Sequence, residues 1–265
     1  MKYSNMALIG SGVLMVLTLV LLLTKGLLFG IDFTGGTLVQ VKTAQVMPVS
    51  QVRTDLAEAG FAGLTIQEFG APDEFLIRAP AEGADDTYGT QIAEALGAGT
   101  ELRRVEFVGP QVGAELREKG ILGMLTALAA ILMYISFRFE IRYGVGAIGA
   151  LVHDVWLTIG FFSLISHEIS LTVLAAVLTI IGYSLNDTIV VYDRIRENRR
   201  KFPKKGLADV LDLSINEMLR RTFLTSLTTL VALIALYLFG GAWIEDFAIA
   251  MMFGVVVGTY ASSCI

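Results

Sequence analysis

The chain has 265 residues, 54% of them hydrophobic and only 17% charged, with a mean hydropathy of +0.67 and a formal net charge of −5. A soluble domain carries about 25% charged residues, so this composition excludes a disordered chain, argues against a soluble enzyme and points to a polytopic membrane protein. One cysteine, Cys264, and two histidines, His153 and His167, exclude a disulfide framework, a cysteine-ligated metal and a histidine-rich metal centre.

Taken in chain order, Met6 to Thr24 is uncharged and bounded by Lys25, long enough to cross roughly 30 Å of hydrocarbon. It is longer than the apolar region of a signal peptide and lacks a small-residue cleavage site, so it reads as a retained helix. From Gly30 to Glu118 the pattern changes to strands and amphipathic helices. Thr37 to Thr43 alternates as a strand, and Ser50 to Ala59 reads as a helix opened by Pro48 and Ser50 and closed by Gly60. Leu64 to Phe69 and Glu74 to Ala79 are strands around a turn at Gly70-Ala71-Pro72-Asp73. Asp85 to Leu96 is a second helix, with Asp85 and Asp86 suited to its N-terminus, and Glu101 to Gly109 a last strand. The order β-α-β-β-α-β is that of a ferredoxin-like sandwich. It holds no histidine, cysteine or clustered nucleophile, which suits a binding or force-bearing module.

Five more spans follow: Gly120 to Phe137, about Tyr143 to Ile165, about Ile169 to Tyr192, Thr222 to Phe239, and about Phe247 to the chain end. The expected organisation is a first transmembrane helix over residues 1–29, an extracytoplasmic domain over 30–118, and a five-helix bundle over 119–265 with a cytoplasmic loop at 192–221. Orientation follows from the basic residues. The 192–221 loop holds nine of them, Arg194, Arg196, Arg199, Arg200, Lys201, Lys204, Lys205, Arg220 and Arg221, and so reads as cytoplasmic. Counting spans backwards makes Arg138, Arg142 and the N-terminus with Lys2 cytoplasmic, leaves Lys25 as one residue in conflict, and places residues 30–118 outside. That segment has fourteen acidic and six basic residues, a net of −8, and accounts for more than the whole-chain charge. Within the cytoplasmic loop, Leu207, Val210, Leu211, Ile215 and Leu219 form an amphipathic stretch expected to lie on the membrane surface or against a partner.

Ionisable groups at membrane depth cost at least about 2.5–3.5 kcal/mol near a helix centre and by default mark ion pathways or relays. His153 and Asp154 fall near the middle of the third span, Asn186 and Asp187 in the inner part of the fourth. At helical spacing Tyr183, Ser184 and Asp187 share one face, and Arg221, Thr225 and Thr228 another. The bland readings are equally concrete. Asp187 lies close enough to the loop to cap a helix or pair with an arginine, Arg220 reads as a positive-inside anchor, and His153 beside Asp154 could be neutral interhelical glue. The two carboxylates are read as functional, and the threonines as helix packing first. Gly254 and Gly258 form a small-xxx-small ridge for close helix approach, and Gly144, Gly146 and Gly149 can serve the same purpose.

Several motifs resemble those of the SecD/SecF family of protein-translocation subunits, on its SecF side. Gly30-Ile31-Asp32-Phe33-Thr34-Gly35-Gly36 after the first span is similar to the family's opening signature, with Asp32, Gly35 and Gly36 as motif residues. His153-Asp154-Val155 is similar to its third-span motif. Gly182-Tyr183-Ser184-Leu185-Asn186-Asp187-Thr188, continuing through Asp193 to Asn198, is the longest match, and Gly254 through Tyr260 with Ser262-Ser263 fits its last span. The resemblance implies a six-helix half of the RND superfamily with an external ferredoxin-like domain. It implies a non-enzymatic accessory subunit of the Sec translocase, needing no cofactor beyond the proton-motive force, that acts with a separate SecD on polypeptides leaving the SecYEG channel. YajC and membrane lipids are further implied partners, nucleic acid is not, and the location implied is the bacterial or archaeal cytoplasmic (inner) membrane. By position, Asp187 would bind the proton, Arg221 would be its charge partner with Thr225 nearby, and His153, Asp154 and Asn186 would support the relay. Two rivals remain: an intramembrane aspartyl protease using two membrane aspartates, although Ser-Leu-Asn-Asp stands where such enzymes show Gly-x-Gly-Asp, and a non-transporting scaffold. The chain ends at Cys264-Ile265 without a basic tail, so the sixth span reads as one that could be cut short.

Overall fold

The computed structural model describes residues 4–80, 87–138 and 141–264. In chain order the elements are α1 (Ser4–Thr24), β1 (Leu28–Phe29), α2 (Ile31–Thr34), β2 (Gly36–Lys42), α3 (Val49–Glu58), β3 (Thr65–Phe69), β4 (Ala71–Ala79), α4 (Tyr88–Ala95), β5 (Glu101–Val108), α5 (Pro110–Arg138), α6 (Ile141–Ile165), β6 (Glu168–Ile169), α7 (Leu171–Lys201), α8 (Leu207–Phe239) and α9 (Ala242–Cys264). They fall into two compact units, residues 1–28 with 122–265, and residues 29–121.

The smaller unit is built on a sheet of order β3-β4-β2-β5 with every neighbouring pair antiparallel. Together with α3 and α4 its elements run β-α-β-β-α-β, as the sequence periodicity indicates. Alternation along β2 and β4 sends Val39, Val41, Phe75 and Ile77 to one face, where all four are fully buried with Val52 and Leu56 of α3 and Ile92 of α4. The expected four-residue turn is tighter, because Ala71 already opens β4 and only Gly70 separates the strands. Asp85 and Asp86 lie outside the described residues; Thr87 occupies the N-cap position of α4.

Gly35 and Gly36 turn the chain from α2 into β2. Gly36 has φ +132, and a Cβ there would stand 2.5 Å from the carbonyl oxygen of Ala79, beside the Thr37–Ala79 pairing of β2 with β4. Gly35 has φ +71, and its Cβ would touch Pro110 at 3.0 Å. The double glycine is thus a steric requirement of this corner.

In the larger unit α1, α5, α6, α7, α8 and α9 each have the length and hydropathy of a membrane span. Their ends depart from the sequence expectation in one instructive way. α7 runs on to Lys201 and α8 begins at Leu207, so most of the expected loop 192–221 is helix and only residues 202–206 are not. The amphipathic stretch from Leu207 does not lie alone on a surface. Val210 and Ser214 of α8 and Ile195 and Asn198 of α7 are buried, and Asn198 donates its amide to Ser214 Oγ at 3.0 Å and Glu217 Oε2 at 2.9 Å. Of the stripe's apolar residues Val210 is buried, Leu211 and Ile215 are half-buried, and Leu207 and Leu219 remain exposed.

The bundle is centred on α9, which packs on α6, α7 and α8. Phe162, Ile180, Leu233, Ala250, Met251 and Val255 form one apolar core among these four helices. Ile135 of α5 joins Ala147 and Leu151 of α6 and Val177, Ile181 and Leu185 of α7 in another. α1 is tied by hydrogen bonds from Trp156 to the Met15 carbonyl at 3.1 Å and from Tyr260 to the Ala7 carbonyl at 2.9 Å. Replacing Gly36 by alanine should destabilise the smaller unit by about 1–3 kcal/mol from backbone strain alone. Hydrogen exchange on the intact chain should therefore show weakened amide protection in β2 and β4, and undiminished protection would contradict this account of the corner.

Candidate functional site

A seam of polar side chains runs through the apolar helices, organised by one face of α7. Asp154, in the middle of α6, is fully buried. Ser184 of α7 donates its hydroxyl to Asp154 Oδ2 at 2.6 Å, and His153 Nδ1 lies 3.1 Å from Asp154 Oδ1. Thr158, one turn further on, donates to the Asp154 carbonyl at 2.8 Å. His153 is itself buried, and its Nε2 has no hydrogen-bond partner among the described residues. Gly258 of α9 borders the same point, where a Cβ would sit 3.4 Å from both Asp154 Oδ2 and Ser184 Cβ. One turn along α9, a Cβ on Gly254 would come within 2.3 Å of Ile180. The Gly254–Gly258 ridge therefore lets α9 close on α7 over the carboxylate.

Asp187 lies one turn beyond Ser184 on α7 and is half-buried. Thr222 of α8 donates to Asp187 Oδ1 at 2.6 Å, and Ser262 of α9 donates to Oδ2. Tyr183 adds a neighbouring link, donating to Ser226 of α8 at 3.1 Å, while Ser226 and Thr259 of α9 are 2.6 Å apart. Each hydroxyl replaces a partner that hydrocarbon cannot supply, so the seam bonds α7 to α6, α8 and α9 where apolar side chains alone would give no register.

The other expected site residues are placed differently. Asn186 is exposed beside Asp187. Arg221 is exposed on α8, and among the described residues no ion pair joins it to Asp187. Thr225 and Thr228 are also exposed and turn their hydroxyls to their own helix, onto the carbonyls of Arg221 and Leu224. The stripe that meets α7 and α9 is Thr222 and Ser226, one residue out of phase with Arg221 and Thr225. Both sets have helical spacing, so periodicity alone could not choose between them. Asp32 sits in the first turn of α2, with Gly35 and Gly36 at its end, in the smaller unit.

At the opposite end of the bundle from the α7–α8 hairpin, three polar contacts close the helix ends. Lys25 donates to the Leu164 carbonyl at 2.7 Å, Ser163 to the Gly26 carbonyl at 2.7 Å, and His167 Nδ1 lies 2.9 Å from Asp246 Oδ1. Lys25, the one cation in conflict with the charge count, thus serves the C-terminus of α6, where a positive charge is favourable. The hydrogen bond to Asp246 raises the His167 pKa above its ordinary 6.5, with burial opposing and the charges of Asp246 and Glu245 assisting.

A raised histidine pKa stabilises the folded state below the unfolded value and is lost as pH rises through the folded one. Asp246→Asn should therefore lower the melting temperature of the intact chain more at pH 6 than at pH 8.5. An equal loss at both pH values would show that the pair contributes no charge-dependent stability.

Comparison with known proteins gives the chain its family. Residues 89–265 match the model described as "Protein export membrane protein SecD/SecF, C-terminal", and residues 20–45 match the SecD/SecF GG motif. Protein translocase subunit SecF of Magnetococcus marinus is 50% identical over 98% of this chain and 85% of its own length. The corresponding subunit of Vibrio alginolyticus is 47% identical over 99% of this chain and 85% of its own. Among solved structures, SecDF of Thermus thermophilus, a translocon-associated membrane protein, superposes with a TM-score of 0.90 at 37% identity. The match covers 98% of this chain and 36% of that one. SecDF in its super-membrane-facing form gives 0.72 at 36% identity and covers all of this chain and 37% of that one. With the family model covering most of the chain and relatives near half identity along almost all of it, this multi-pass membrane protein belongs to the SecD/SecF family of protein export membrane proteins.

Proposed function

We propose that the chain is an accessory, non-enzymatic subunit of the Sec protein translocase, working with a SecD partner to couple the proton-motive force to polypeptide export through SecYEG. In this reading the bundle spans the cytoplasmic (inner) membrane with its N-terminus inside, and residues 30–118 face the extracytoplasmic side, where the polypeptide emerges. SecD supplies the second six-helix half, and YajC is a further partner. The positive-inside charge of the α7–α8 hairpin supports the orientation, and the sequence relatives support the Sec assignment.

The observation that carries the coupling is the setting of Asp187: a carboxylate at a three-helix junction, bonded to Thr222 of α8 and Ser262 of α9. As a carboxylate it can only accept, and both hydroxyls point toward it. Once protonated it must donate at one oxygen, so a hydroxyl there has to reverse or leave. Loading a proton thus changes which helix α7 can hold, α8 or α9. Arg221, adjacent to Thr222, would reach Asp187 only after α8 rearranges, giving the deprotonated carboxylate a charged partner. Asp154, bonded to Ser184 one turn away, transmits that change to α6, and His153 offers an open Nε2 lone pair or proton beside it. One proton crossing 100 mV releases about 2.3 kcal/mol, enough to reweight two close-lying arrangements. Two SecDF structures that match this chain at nearly equal identity but with TM-scores of 0.90 and 0.72 support a fold with more than one arrangement.

The protease reading gains no support from the site, because Asp154 and Asp187 hold separate hydroxyl partners and share none. In vesicles holding the chain with its SecD partner and SecYEG, Asp187→Asn should reduce export to the level seen without a proton gradient while the complex still assembles. Undiminished proton-dependent export would remove Asp187 from the coupling and favour a scaffold.

A further inference from the structure

The end of α7 that leaves the apolar bundle carries a charged cluster with no part in the coupling described above. Asp193, Arg196, Glu197, Arg200 and Lys201 recur at positions i, i+3, i+4, i+7 and i+8 on one helix face. With Arg138 at the end of α5 they line an open cavity of about 590 Å3. The size is within the range of pockets that take small ligands.

Its two carboxylates are already engaged. Arg138 donates to both oxygens of Asp193 at 3.1 and 3.0 Å, and Glu197 accepts from Arg194 Nη1 at 2.7 Å. Arg196, Arg200 and Lys201 are exposed, and among the described residues none of them forms an ion pair with a carboxylate. The Lys201 ammonium stands 5.5 Å from the Phe202 ring centroid, near that of Lys205 at 4.6 Å. Glu197 stands on this face between Arg196 and Arg200 but is held by Arg194, and the cavity's four cations, Arg138 included, outnumber its two carboxylates. The α5 residues that precede Arg138 are apolar and exposed. Phe137, next to Arg138, is 87% exposed, with Met133 and Tyr134 exposed one turn earlier on α5.

A cationic cavity at a membrane boundary, with exposed apolar residues on the turn of α5 that leads to it, has the two-part chemistry of one class of ligand. We propose that this cavity binds the phosphodiester headgroup of an anionic phospholipid, its phosphate between Arg196 and Arg200 and its acyl chains along Met133, Tyr134 and Phe137 of α5. Guanidinium groups suit the task, since their paired N–H donors match phosphate oxygens, and basic pockets between transmembrane helices are a known setting for anionic headgroups. A bound lipid would pin the α5 and α7 ends together beside the Arg138–Asp193 pair. This inference stands apart from the proton-coupling reading and survives its failure.

The test is native mass spectrometry of the intact chain in neutral detergent, titrated separately with phosphatidylglycerol, phosphatidylcholine and inorganic phosphate. Saturable binding of phosphatidylglycerol, little of phosphatidylcholine, and a loss of roughly 30-fold in the Arg196→Gln/Arg200→Gln double variant are expected. Lys204→Gln/Lys205→Gln, outside the cavity, should bind nearly as the parent does. Unchanged affinity in the first variant, an equal loss in the second, or equal binding of phosphatidylcholine would overturn the site. Displacement of the lipid by inorganic phosphate at comparable concentration would overturn the lipid as its occupant.

Discussion

The bundle depends on one constraint: a polar atom placed among apolar helices must find its hydrogen bond within the protein. Asp154 is fully buried and Asp187 half-buried, and hydrocarbon offers neither a donor. Each is met instead by hydroxyls from neighbouring helices, Ser184 for Asp154, and Thr222 with Ser262 for Asp187. Those bonds fix the rotation of α7 about its axis, and α7 in turn sets where α6, α8 and α9 stand. Dispersion packing among Phe162, Ile180, Leu233 and Val255 adds density to the arrangement, but apolar side chains tolerate rotation far better than a carboxylate does. Small residues complete it, since Gly254 and Gly258 bring α9 close enough for Ser262 to reach Asp187.

The same constraint makes the seam suited to switching. A hydroxyl donates or accepts with little cost, whereas a carboxylate changes role entirely on taking a proton. In the proposed coupling, a bundle held at Asp187 by two hydroxyls on two helices exchanges one of those bonds when the carboxylate takes a proton. The apolar faces of α1, α5 and α8 point the other way, with Leu17, Leu122, Phe137, Phe223 and Val231 exposed. Surfaces of that kind need lipid or the helices of another subunit to cover them.

Much of the fold was legible from local pattern. The spans stood out because about 20 apolar residues without charge have few other uses, and the smaller unit because alternation along β4 and the Val52–Leu56 spacing of α3 name their own buried faces. Asp154 and Asp187 were visible as charges where hydropathy should exclude them. Less legible was anything set by a partner helix. Arg221 and Thr225 form as good a helical stripe as Thr222 and Ser226, and only the packing of α8 on α7 and α9 shows that the second faces inward. Ser262 carried no signal of its own, because a serine in a membrane helix can as readily bond its own backbone. The expected surface helix at Leu207 became the start of α8 for a related reason: its polar residues Ser214 and Glu217 found the amide of Asn198 on α7, a partner distant from them in the pattern of the stripe.

By itself the sequence determined the six spans, the β-α-β-β-α-β order of the smaller unit, the double glycine that ends α2 and the presence of two intramembrane carboxylates. These follow from composition, periodicity and backbone sterics, which act over a few residues. The tertiary structure decided which hydroxyls meet those carboxylates, which phase of α8 faces the seam, and how Arg138 and the end of α7 enclose a cationic cavity. These depend on the relative rotation of helices distant in sequence, and rotation is settled only when each buried polar atom has found its partner.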